Sequence, residues 1–328
     1  MKKAKTFNIF DLISNNMAWF ILLLLVIYFG IFSEHFFSIR NILNILSQNA
    51  YLLVAATGLT FLMMSGEMDL SVGYAMSTCG VVCGVLMVNL GVPVWLCIIA
   101  TIALAIFISV LNTFLAIKLK LMVLIVTIAM MTILQGVSYL ISQSKTISGF
   151  PEGFKFIGQG MLFNFLPVSI VIMLVAFLVM SFVLNKTYYG RYVYAIGGNK
   201  EAARLAGINI NRMRYSIAVI VGFFLGLATI MLISRLGSTQ SIIGPGTEFG
   251  IITGVFLGGV SIRGGEGKLS GVFAGILCIA LLSNGMQLAN INIYYQYVAR
   301  GTIMIAAIGF DVYQLNRRNA IKQNKEAN

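Results

Sequence analysis

Long apolar runs broken by short polar turns recur from one end of this 328-residue chain to the other. A helix of about 20 residues crosses a bilayer core about 30 Å thick. Inside that core each backbone N–H and C=O must find its partner within the segment, so a chain of this kind has to fold as a bundle of spanning helices. Charged residues make up 10% of the chain, against about 25% in soluble domains. The expected fold class is therefore an all-α integral membrane protein, with residues 1–328 as a single transmembrane domain. Cys79, Cys83, Cys97 and Cys278 all lie inside apolar runs without metal-type spacing, and read as small buried side chains.

The apolar pattern predicts about ten spans, near residues 17–31, 49–65, 70–89, 94–117, 121–142, 165–184, 215–234, 248–262, 269–288 and 294–313. Three lysines in residues 1–6 precede the first run, as in a signal anchor, and no small-residue cleavage site follows. Residues 33–48 are mixed and are expected to return along the outer surface as an amphipathic stretch. Residues 143–164 and 235–247 read as outer loops, and residues 316–328 as a basic tail able to touch anionic lipid.

Cation placement orients this map. With the N-terminus inside, all 22 Lys and Arg except Arg40, Lys145, Lys155, Arg235 and Arg300 fall in inner segments. That bias places both termini in the cytoplasm. The net charge of +12 is then largely a topology signal. Nucleic-acid binding is disfavoured, because the cations flank spans and form no basic domain.

The longest polar interruption is residues 189–214, which with Lys186 just before it carries Arg191, Lys200, Arg204, Arg212 and Arg214 and reads as a cytoplasmic loop over 186–214. Gly197-Gly198 is expected to break the chain and Asn199 to cap a helix. Glu201 in the first turn meets the positive end of the helix dipole. Ala202, Ala203, Arg204, Leu205 and Ala206 favour helix, and Gly207 with Ile208 beyond it predicts a left-handed stop. The resulting helix of about two turns is too short to stand alone. The residues by themselves admit two readings, an ordinary charged loop or a small docking platform.

Chemistry on the chain is sparse. Residues 263–268, RGGEGK, resemble a phosphate loop, but Ile262 replaces the first glycine and Leu269 the Ser or Thr after the lysine. The sole histidine, His35, has no second ligand nearby, so neither a metal site nor a catalytic set is expected, and the chain reads as no enzyme. The ten acids fall at turns or span ends, so the usual proton relay of a gradient-driven transporter is missing. What remains is a neutral pathway. Asn49, Thr57, Asn112, Gln135, Asn284 and Gln287 are candidates to line it, since amides and hydroxyls in spans are expected to face the protein interior, either bridging helices or touching a hydroxyl-rich solute.

Three blocks carry a resemblance. Residues 58–78, which contain GEMDLSVG, are similar to the GG-x-DLSVG signature of the ribose-type permease subunits of bacterial ABC importers, through Gly66, Asp69, Leu70, Ser71 and Gly73. Residues 190–208 resemble that family's GR-x5-GGN-x-x-AARLAGI block, and residues 254–275 its GG-x-S-x-x-GG-x-G region. Glu67 departs from the pattern, standing where the family commonly has a second glycine. The resemblance spans nearly the whole chain. It implies a subunit of the bacterial inner membrane and a monosaccharide as cargo, a pentose such as ribose or xylose or another simple sugar or polyol. It also implies three partners: a cytoplasmic ABC ATPase that binds ATP and Mg, a periplasmic or lipid-anchored sugar-binding protein, and a second permease copy or paralogue. On this view Gly197, Gly198, Asn199, Glu201, Ala202, Ala203, Arg204, Gly207 and Ile208 form the helix that docks on the ATPase. No cofactor is expected on the chain itself. A gradient-driven secondary transporter of a neutral polar solute is the alternative. Gly66, Glu67, Leu70 and Ser71 recur 199 residues later as Gly265, Glu266, Leu269 and Ser270, which predicts paired turns at the inner mouth of the pathway.

Overall fold

The computed structural model describes residues 16–32 and 36–326. The lysine-rich segment 1–6, Asp11, Glu34 and His35 lie outside the described residues. The described residues are mostly helical, with turns between the helices and two small antiparallel ribbons of two-residue strands. Those strands are β1 (Ile147–Ser148), β2 (Met161–Leu162), β3 (Leu166–Pro167) and β4 (Ser238–Thr239). Strand β1 pairs with β4 and β2 with β3.

The helices in chain order are α1 (Met17–Phe32), α2 (Ile39–Met64), α3 (Val72–Gly84, continued by a π turn over Val85–Asn89), α4 (Val94–Lys118), α5 (Val123–Ser142) and α6 (Glu152–Gln159). They continue as α7 (Val168–Lys186), α8 (Tyr188–Gly198), α9 (Lys200–Leu205), α10 (Ile210–Leu236), α11 (Thr247–Leu257), α12 (Leu269–Leu288) and α13 (Ile293–Glu326). Among the described residues, seven helices are long and apolar enough to cross a membrane: α2, α3 with its π turn, α4, α5, α7, α10 and α12. Two shorter apolar helices, residues 17–31 and α11, join them.

Helices α2 and α10 form the centre. Over its last dozen residues α2 is buried on every side, which a helix achieves only when neighbours surround it. Helix α10 packs on both α2 and α4, and Gly222 and Gly226 let its backbone reach that of Ile106 and Ile102. The outer helices α1, α4, α5 and α7 turn Leu23, Leu24, Ile99, Phe107, Leu140 and Phe182 outward. In water such faces would aggregate; against lipid they cost nothing. Helices α11 and α12 meet backbone to backbone through Gly254, Gly258, Gly271 and Gly275, the small-residue seam typical of membrane packing.

Several boundaries differ from those expected. Residues 39–48 do not return along the surface; they are the first turns of α2. Ser38 caps the helix by accepting from the Asn41 N–H at 3.2 Å, and the Asn41 side chain pairs with Asn284 of α12. The eighth apolar run ends early, at Leu257, because Gly258 and Gly259 turn the chain there, the latter at φ 82°. The last helix continues beyond residue 313, through the segment read as a separate tail, to Glu326. The segment 143–164, read as an outer loop, contains helix α6. The 199-residue spacing recurs beyond the two turns. The ends of the third and twelfth helical segments (Asn89, Leu288) and the starts of their successors (Val94, Ile293) also stand 199 residues apart.

Candidate functional site: the junction of three turns

Helix α9 forms as its sequence predicts. Asn199 Oδ1 accepts from the Ala202 N–H at 3.0 Å. At the other end the Gly207 N–H donates to Arg204 O at 3.0 Å and the Ile208 N–H to Ala203 O at 3.1 Å, with Gly207 at φ 84°. That is a complete Schellman stop, which needs a residue free of a Cβ penalty at the left-handed position. Ala203 is buried beneath the helix. Arg204 and Glu201 pair across its open face at 2.7 Å, and Leu205 beside them is 84% exposed.

Gly197 and Gly198 do not break the chain as expected. They form the last turn of α8 and seat it on the rest of the protein. A Cβ on Gly197 would collide with the Met64 carbonyl at the end of α2 and with the Gly265 backbone. The Gly265 N–H donates to the same Met64 carbonyl at 2.8 Å, and Tyr194 Oη donates to Gly267 O at 2.9 Å. Gly66 and Gly264 touch through their backbones. The turn after α2, the turn before α12 and the stem of α9 therefore meet at one junction. Three sequence blocks far apart in the chain become a single structural unit.

An acid missed as a site residue sits at this junction. Glu67 Oε1 lies 3.2 Å from Lys200 Nζ and 2.9 Å from Arg214 Nε. The only signals in sequence were its place in a glycine signature and the cation excess of the loop that covers it.

The signature turn continues into a buried polar knot. Asp69 Oδ1 accepts from the Ser71 N–H at 2.7 Å and from Ser71 Oγ at 2.6 Å. Asn112 of α4 donates to Ser71 Oγ at 3.0 Å and approaches Asp69 Oδ2 at 3.4 Å. The Leu70 N–H donates to Thr127 Oγ1 of α5 at 3.2 Å. Burial raises the Asp69 carboxyl above its ordinary value, and the hydrogen bonds from Ser71 and Asn112 pull against that rise. Gly73 follows in α3, where a Cβ would enter the Glu248 carboxylate. Glu67, Asp69 and Glu248 are thus at turns or helix starts, as their positions suggested, yet all three are buried.

Of the six interior candidates, only Asn112 joins this knot. Thr57 and Asn49 bond back to carbonyls of their own helix, Asn284 pairs with Asn41, and Gln287 is exposed. Gln135 is partly buried on α5. Among the described residues no hydrogen bond joins any two of the six.

Comparison with known proteins returns one family over most of the chain. The family described as "Branched-chain amino acid transport system / permease component" matches residues 41–308. The ribose import permease protein RbsC of Haemophilus influenzae is 32% identical over 315 residues, covering 95% of this chain and 97% of its own length. The L-arabinose transport system permease protein AraH of Escherichia coli is 38% identical over 268 residues, covering 82% and 81%. RbsC of Bacillus subtilis is 34% identical over 305 residues, covering 92% and 94%. No solved structure matches.

Proposed function

From the premise that the chain belongs to this family of transport permease components, and so is a multi-pass subunit of a sugar ABC importer, we propose that it carries a monosaccharide across the inner membrane on work drawn from a separate ATPase. The named cargoes of its relatives are ribose and L-arabinose, so a pentose is the proposed substrate, delivered by an external binding protein. The ten-span arrangement with both termini inside belongs to the same reading, with α1, α11 and α13 adding to the seven long spans. A second permease copy or paralogue would complete the pathway.

The observation that carries the proposal is the junction. Helix α9 is capped at both ends, offers Arg204, Glu201 and Leu205 outward, and stands on a stem locked to the ends of α2 and α12. A partner that moves α9 therefore moves both turns, and with them the central helices.

The test is the assembled importer in proteoliposomes, with ribose and L-arabinose as probes. Arg204→Glu reverses the charge of a side chain that is 68% exposed and leaves the bundle untouched. ATP-driven uptake is expected to fall by at least about tenfold, within the usual range of coupling between sites, while membrane insertion stays normal. Unchanged ATP-driven uptake would refute coupling through α9. Uptake by the chain alone under a proton or sodium gradient would instead identify a secondary transporter.

A further inference from the structure

The contacts that seat α9 on the bundle are of two physical kinds. Gly197 meets Met64 and Gly265 backbone to backbone, and apart from the Tyr194–Gly267 hydrogen bond these packed atoms resist compression steeply while resisting separation weakly. They transmit a push. Import also needs the return stroke, in which α9 withdraws and the turn at 65–71 must follow.

Among the described residues, the charged link between α9 and that turn is Glu67. Its side chain is 7% exposed. Oε1 faces both Lys200 Nζ at 3.2 Å and Arg214 Nε at 2.9 Å, the latter as an ion pair off the N–H axis. Oε2 is buried with no hydrogen-bond partner. A carboxylate held this way depends on its two cations to offset the loss of water, so pulling either one away is costly. The two cations belong to different elements. Lys200 opens α9 and is 48% exposed, whereas Arg214 lies near the start of α10 and is 15% exposed.

Resting on the reading of α9 as the coupling helix, we propose that Glu67 is a positioning residue for transport: a tether that makes the 65–71 turn follow α9 and α10 when they withdraw. The signature turn is pushed through glycine backbone and pulled through this carboxylate. Where a glycine stands at this place, as the resemblance implies, the push and the backbone hydrogen bonds remain and the charged pull is missing. The tether is thus a property of this chain in addition to the shared coupling helix.

The experiment measures sugar molecules moved per ATP hydrolysed, in the assembled importer, with ribose and L-arabinose as probes. Glu67→Gln keeps the shape and removes the charge; Lys200→Met removes one partner at a half-exposed site. Each is expected to lower the ratio about fivefold, at the low end of measured couplings. The double variant is expected to be no worse than the poorer single, because both remove the same link. A merely structural role would lower the melting temperature and leave the ratio of the folded fraction intact. A wild-type ratio in Glu67→Gln, or losses that multiply in the double variant, would overturn the tether. Should Glu67→Gln fold poorly, Lys200→Met decides alone, by a lowered ratio at an unchanged melting temperature. Arg204→Glu run beside them separates the two ideas. If it uncouples while Glu67→Gln and Lys200→Met do not, only the tether fails; if it too leaves the ratio intact, the coupling reading fails and the tether falls with it.

Discussion

At Gly73 there is no room for a side chain: a Cβ would enter the Glu248 carboxylate and lie 2.8 Å from the Gly244 carbonyl oxygen. Glu248 cannot move aside freely, since both of its carboxylate oxygens accept from the Gly246 N–H at 3.0 Å. Gly73→Ala is therefore expected to destabilise the chain by about 1–3 kcal/mol, the usual cost of overfilling a packed site. Thermal melting of the detergent-purified protein would show a drop of several degrees, and a wild-type midpoint would contradict the packing described. The sequence marked Gly73 through its motif but gave no reason for a glycine there. The reason is a carboxylate 175 residues away, and spacing along a chain carries no information about such a contact. Glu67 has the same lesson in reverse. Its partners, Lys200 and Arg214, are cations whose places along the chain indicate only which side of the membrane the loop faces.

Among the elements, α9 was the most legible, because a short helix is bounded by local chemistry. Asn199 and Gly207 act within a few residues of themselves, and each does what its type predicts. Removing the cap by Asn199→Ala is expected to cost about 1 kcal/mol, which multiplies local opening about fivefold. Amide hydrogen exchange over residues 202–208 would speed up by that factor while the buried amides of α10 keep their protection; equal rates in both proteins would show that packing alone holds α9. The start of α2 and the end of α11 were less legible. Residues 39–48 are mixed in polarity, and whether they lie flat or rise into the bundle depends on Asn41 finding Asn284 across α12. The apolar run of residues 248–262 has the composition of a span, yet paired glycines end its helix at Leu257. Apolar composition reports burial, and burial alone does not say where a helix stops.

Across the whole molecule, the arrangement of buried centre and apolar rim follows from lipid as solvent, and orientation is the property most open to a direct check. Glu152 on α6 is 89% exposed and Leu205 on α9 is 84% exposed, while the four native cysteines are all buried. With the N-terminus inside, Glu152→Cys is expected to react with a membrane-impermeant thiol reagent in intact cells and Leu205→Cys only in inside-out vesicles. The reverse pattern would invert the topology and remove α9 from reach of any cytoplasmic ATPase.

By itself the sequence determined the solvent of this protein, the approximate rhythm of its helices, the caps of α9 and the family blocks, because each is written in composition or in contacts a few residues long. Only the tertiary structure decided that the turn after α2, the turn before α12 and the stem of α9 share one junction, that Glu67 lies between Lys200 and Arg214, and that Asn112 serves Asp69 and Ser71. Those facts join residues far apart in the chain, and close packing in three dimensions, not local preference, selects which of them meet.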